Sequence, residues 1–256
     1  MRVTSRTVSR AAAAAFLASG IMAAAHAVRA QVPDKFTNLK VLPKKISKDE
    51  LVQIMRGYSF SLGVRCGHCH VPKEGAAEGQ PKLDFASDEK AVKGTARKMM
   101  KMVADINKKY MTKLEPKAKL KVECVTCHHG VPQPEQLASI MKRTVADSGA
   151  TVAAARFEAL RATYYGEASY DFSETSLNTT AESFLQAGKP ADAVAMLELN
   201  AKHNPPSGWM QALLGQAYLA NGDRDKARAA YEKAVEMDPH NPRVKKALES
   251  LDAKPN

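Results

Sequence analysis

Aromatic side chains are scarce in this chain of 256 residues, at 6% of the total with a single tryptophan. Alternating runs of Val, Ile and Thr are scarce too, which argues against an architecture built on sheets. Ala, Leu, Lys, Glu and Met are common instead, a mix that favours helices. No segment beyond residue 30 is apolar enough to span a bilayer, so the mature chain is expected to be soluble or peripheral. No cysteine follows the N-terminal apolar stretch, which excludes a lipoprotein anchor. No nucleic-acid-binding module accompanies the positive charge, so nucleic acid is not expected as a partner.

What is there begins with a leader. Arg2, Arg6 and Arg10 form a basic start, and Ala11 to Ala25 is apolar apart from Ser19 and Gly20. Small-x-small sites follow at Ala25-His26-Ala27 and Val28-Arg29-Ala30. Residues 1–30 therefore read as a secretory signal, and the expected location is the periplasm of a bacterium. The net charge of +11 is uneven. Residues 31–147 hold 22 basic and 13 acidic side chains, while 148–256 hold 12 and 14. A lysine-rich solvated surface explains this, as does steering of acidic protein partners or peripheral contact with anionic lipid.

Ser47-Lys48-Asp49-Glu50 is a capping box, and the helix it opens carries Leu51, Ile54, Met55, Tyr58 and Leu62 on one face until Gly63 ends it. Residues 71–86, with two Gly and two Pro, read as a loop. Ser87 is expected to cap a second helix, with Val92, Ala96, Met99, Val103 and Ile106 on its buried face. Further on, residues 151–165 suggest a helix leading into a repeat of period 34, read from Phe184/Tyr218, Gly188/Gly222, Ala193/Ala227, Leu197/Tyr231 and Pro205/Pro239. This is similar to the tetratricopeptide pattern of paired helices, with a capping helix over 242–252. His203 and His240 lie near repeat ends and read as surface residues. The fold class is accordingly all-α: a small domain over 31–147, then a helical-repeat domain over 148–256.

Cys66-Gly67-His68-Cys69-His70 and Cys124-Val125-Thr126-Cys127-His128 are both C-x-x-C-H. Two thiols at that spacing reach the two vinyl groups of one haem, and the adjacent histidine is held against its iron. The sequence thus predicts two covalently attached c-type haems, through Cys66, Cys69, Cys124 and Cys127, with His70 and His128 as proximal metal ligands. Zinc, disulfides and a redox-active C-x-x-C pair are the competing readings. Zinc sites rarely place a histidine directly after each second cysteine, and no thioredoxin-like βαβ pattern surrounds either pair. The sixth ligand stays open on spacing alone. Met55 and Met99 each sit on a helical face ahead of a motif, but a methionine there is equally a core residue. His68 and His129 are alternatives.

The stretch from Asn38 to Pro134 resembles the photosynthetic reaction-centre cytochrome subunit family. The likeness is carried by Asn38–Pro43, Met55 to Cys66, Phe85–Lys90, Ala96–Met102, and Cys124–His128 with Gly130. The resemblance implies that a methionine on the helix before each motif is the distal ligand: Met55 for the first haem and Met99 for the second, with Met102 as the fallback. Three departures stand out. The reaction-centre subunit proper carries four haems, His129 replaces an arginine usual in the family, and the repeat domain lies outside the resemblance.

The expected function is electron transfer by an exported two-haem cytochrome, a carrier rather than an enzyme. Its expected partners are a redox protein, such as a membrane electron-transfer complex, and a protein or peptide on the repeat domain. The alternatives are an assembly or sensor protein acting through its repeats, and a two-haem peroxidase, which needs an iron with an open position and an acid–base group beside it.

Overall fold

The computed structural model describes residues 32–76, 82–114 and 120–252. The expected leader lies outside the described residues. The described chain is all-α apart from one short hairpin. The helices are α1 (Lys48–Leu62), α2 (Ala91–Lys109), α3 (Cys124–His128), α4 (Leu137–Ser148), α5 (Ala150–Tyr164), α6 (Glu174–Gln186), α7 (Pro190–His203), α8 (Gly208–Ala220), α9 (Arg224–Met237) and α10 (Pro242–Asp252). Strands β1 (Val71–Pro72) and β2 (Leu83–Asp84) pair antiparallel inside the expected loop. Among the described residues, no helix is long and apolar enough to cross a membrane.

The chain divides into two compact units between Gln133 and Pro134. This is earlier than the expected boundary at 147/148. The reason is α4, whose Leu137, Ile140, Met141 and Val145 are buried in one cluster with Ala153, Phe157 and Leu160 of α5. Apolar burial assigns α4 to the second unit.

In the first unit, Ser47 caps α1 by accepting the Glu50 N–H at 3.2 Å, and Gly63 ends it in the left-handed region at φ 62°. The second helix departs from expectation. It starts at Ala91, and Ser87 Oγ accepts only the Glu89 N–H, in a local turn. Asp84 accepts the N–H groups of Ala86 and Ser87 and so holds this stretch in a bend before the helix can begin. The expected buried face of α2 is also corrected. Val92 and Met99 are exposed, and the buried residue is Lys93. Among the described residues of this unit, only Ile46, Leu51, Val52 and Val131 are buried apolar side chains.

The second unit has an extensive core. Antiparallel pairs α6/α7 and α8/α9 form the two repeats, and α10 packs on α9. Gly188 and Gly222 occupy matching turns at φ 69° and 88°, where only glycine is unstrained. Ala193 and Ala227 are fully buried at matching positions, where their small size lets the paired helices close. His203 is not a surface residue as expected. Its ring packs 5.4 Å from that of Phe157, and its Nε2 meets Glu158 Oε1 at 2.8 Å.

Candidate functional site

The first motif folds as a tight turn over Cys66–His68, with the N–H groups of Cys69 and His70 both donating to the Cys66 carbonyl. The β1–β2 hairpin follows and returns the chain so that Phe85 meets the His70 ring edge-on at 4.8 Å. Lys90, just before α2, donates to the carbonyl of Gly67 inside the motif.

These elements line an open cavity of about 200 Å³. Its wall brings together Cys66, Cys69, His70 and Met55. Leu51, Tyr58 and Leu62 of α1 add apolar surface, and the lead-in over 32–42 forms one side. Helix α2 contributes Lys93, Ala96, Arg97 and Met100, an i, i+3, i+4, i+7 stripe. Sequence reasoning missed Met100, because it took the stripe to start at Val92. Met99 and Met102 are not in this wall and are 41% and 47% exposed. Counting 100° per residue, Met99 falls with Val103 and Ile106 on a neighbouring face of α2.

His70 has a buried Nδ1 with no hydrogen-bond partner. Burial pushes its pKa down to about 4, helped by the charges of Lys93, Arg97 and Lys90 and opposed by Asp84. The ring is therefore a neutral imidazole at neutral pH, the form in which histidine ligates a metal. Burial also raises the Cys69 thiol above its ordinary value, an effect strengthened by Cys66 and opposed by Lys90 and Lys93.

The second motif is the short helix α3. It opens with a capping box in which Thr126 Oγ1 accepts the Glu123 N–H at 3.0 Å. The approach to it is fixed by Asn107 of α2, whose amide bonds both the N–H and the carbonyl of Val122 at 2.8 Å. His129 then turns left-handed at φ 47°, and His128 Nδ1 lies 2.9 Å from the Val131 carbonyl. A hydrogen bond from the Nδ1 side orients the ring and turns Nε2 outward, the second-shell contact that metal-ligating histidines commonly make.

The two motifs come together through backbone. The Gly130 N–H donates to the Ser61 carbonyl at 2.9 Å, and a Cβ on Gly63 would lie 2.0 Å from the Gly130 oxygen. Tyr58 stands in the cavity wall, and its phenol is raised above its ordinary pKa by burial first and then by the Cys124 thiol. The four cysteines are unbridged. Among the described residues, no three His, Cys, Asp or Glu side chains gather into a metal-holding group, so the motifs are not two halves of one zinc site.

A helical unit with paired C-x-x-C-H motifs, followed by helical repeats, defines a c-type cytochrome with covalently bound haem. The comparisons agree. A family model described as photosynthetic reaction centre cytochrome C subunit matches residues 3–197, and a tetratricopeptide repeat model matches residues 184–251. Cytochrome c-554 of Chloroflexus aurantiacus is 32% identical over 95 residues, which are 37% of this chain and 20% of that protein. The chain thus spans about a fifth of the length of this curated relative. The chain belongs to the photosynthetic reaction-centre cytochrome subunit family. The family match runs well past Pro134, so the expectation that the repeat region lies wholly outside the resemblance is corrected: α4, α5, α6 and part of α7 fall within it.

Proposed function

We propose that this protein is an exported two-haem cytochrome that passes electrons to or from a membrane redox complex in the periplasm. Cys66 and Cys69 anchor the first haem with His70 as proximal and Met55 as distal ligand. Cys124 and Cys127 anchor the second with His128 and Met99. A bound haem supplies an iron that gains and loses one electron. The observation that carries the reading is the cavity that gathers Met55, Cys66, Cys69 and His70 in one wall. The thin apolar core of the first unit supports it, since a tethered macrocycle adds apolar mass that so few buried side chains do not provide. Met99 and Met102 present apolar surface on α2 for the second group to cover. With a side chain on each side of both irons, neither offers an open position for a substrate, which favours a carrier over a peroxidase. The tetratricopeptide match supports a protein or peptide partner on the repeats.

The test is haem stoichiometry on protein exported from a host that carries the attachment machinery. Two covalent haems per chain are expected, and one in the doubly substituted Cys66→Ala, Cys69→Ala protein. A parent that carries none overturns the reading.

A further inference from the structure

Among the described residues, the wall of the first cavity contains five cations, Lys35, Lys40, Arg65, Lys93 and Arg97, and no Asp or Glu. Three of them converge on one carboxylate just outside it. Asp88 takes Lys40 Nζ at 2.6 Å, Arg97 Nη1 at 2.8 Å and Lys93 Nζ at 3.3 Å. The cluster therefore carries two positive charges in excess. Asp84, the other acid nearby, is turned to the N–H groups of Ala86 and Ser87.

Lys93 is only 9% exposed. A charge so placed persists when all its donors are satisfied. Its ammonium reaches the carbonyls of Phe85 at 2.8 Å and Ser87 at 2.5 Å besides Asp88, three acceptors for three donors. Lys93 is thus a fixed charge with nothing left to give a ligand. Arg97 differs. Its described contacts, to Asp88 and to the Asn38 carbonyl at 3.2 Å, use two of five N–H donors. It remains able to bind a carboxylate in the fork geometry that guanidinium favours.

We propose that the Asp88 cluster sets the redox potential at the first motif: Arg97 binds a carboxylate of the haem there, and the surplus charge of Lys93 and Arg97 favours the reduced iron. This rests on the reading that Cys66, Cys69 and His70 hold a haem. Positive charge near an iron costs more when the iron is ferric, so the cluster raises the midpoint potential.

The experiment is a spectroelectrochemical titration of the full-length two-haem protein, in which two midpoints are read. R97Q is expected to lower one midpoint by about 59 mV or more, the equivalent of about tenfold for a one-electron couple. D88N is expected to raise the same midpoint. R97K, which keeps the charge, is expected to recover most of the loss, and the second midpoint stays put in all three. Opposite signs from R97Q and D88N distinguish charge from packing, since a loosened cavity shifts the midpoint the same way in both. Equal signs, or no shift in a loaded protein, overturn this proposal alone. If R97Q does not load, the sign of the D88N shift decides. A parent with no haem at the first motif overturns the functional reading and the proposal together.

Discussion

Gly63 is the residue on which the two motifs turn. It sits at φ 62° with the Gly130 oxygen where its Cβ would be. Gly63→Ala therefore incurs left-handed strain, worth about 1–3 kcal/mol, together with a forced shift of backbone. Gly57, inside α1 with no atom near its missing Cβ, is the contrast. Gly57→Ala is expected to stabilise by roughly 0.5–1 kcal/mol through helix propensity. Hydrogen exchange of α1 and α3 in the two variants checks the opposite signs. Under the proposed ligation, Met55→Ala is expected to lower one haem midpoint and to let carbon monoxide bind one ferrous haem of two, because a ligating thioether both raises the potential and fills the sixth position. Met99→Ala is expected to do the same at the other haem and Met102→Ala to do neither. If Met102→Ala opens the second iron, the second distal ligand is Met102. At this scale the two C-x-x-C-H motifs were legible as a spacing that thioether chemistry asks for, and haem attachment through them is the proposed function. Met55 needed the family likeness. The burial of Lys93 was not legible, because a lysine becomes buried only when carbonyls such as those of Phe85 and Ser87 turn toward it, and the bend ahead of the helix that turns them leaves no periodic signal.

Among the elements, the repeats were the most legible, because helix pairs of fixed length leave glycine and alanine at fixed intervals. Gly215 in α8 shows why. A Cβ there would lie 2.5 Å from the Tyr231 ring of α9. Gly215→Ala would gain about 1 kcal/mol of helix propensity but lose about 1–3 kcal/mol to overpacking, so net destabilisation is expected. Trp209, on the same helix and the sole tryptophan, makes this measurable by fluorescence in a urea titration. The start of α2 was misread, because a serine that can cap a helix can equally close a local turn, and the choice is made by Asp84 from outside the helix. Asp88 also ties the lead-in to α2, through Asn38 at 2.9 Å and Lys40 at 2.6 Å. Lys40 above all, then Arg97 and Lys93, hold its carboxyl well below the ordinary range. A carboxylate depressed in the folded state lends stability that is complete above its unfolded pKa and lost as pH falls toward the folded one. Protection at residues 38–40, taken relative to the intrinsic exchange rate at each pH, is therefore expected to fall in acid, and D88N to show low protection there at all pH values. High, pH-independent protection in both proteins would count against the tie.

For the whole molecule, the division into two units has a checkable seam. Pro132 and Pro134 flank it, and α4 is buried with the second unit. Limited proteolysis is expected to cut within 132–136 and to spare 147–151, where α4 and α5 pack together. Cleavage at 147–151 would restore the boundary inferred from sequence. The two boundaries differ because charge balance, which shifts near 148, reports on surface, while the division at 133/134 follows which apolar side chains share a core. The contact between the Ser61 carbonyl and the Gly130 N–H bears on time as well as on shape. It joins a residue before the first motif to one after the second, and a chain emerges from its N-terminus onward. The bond that gathers both motifs can therefore form only once Gly130 has emerged, so under the proposed function the first pair of thiols would be presented for attachment before that closure.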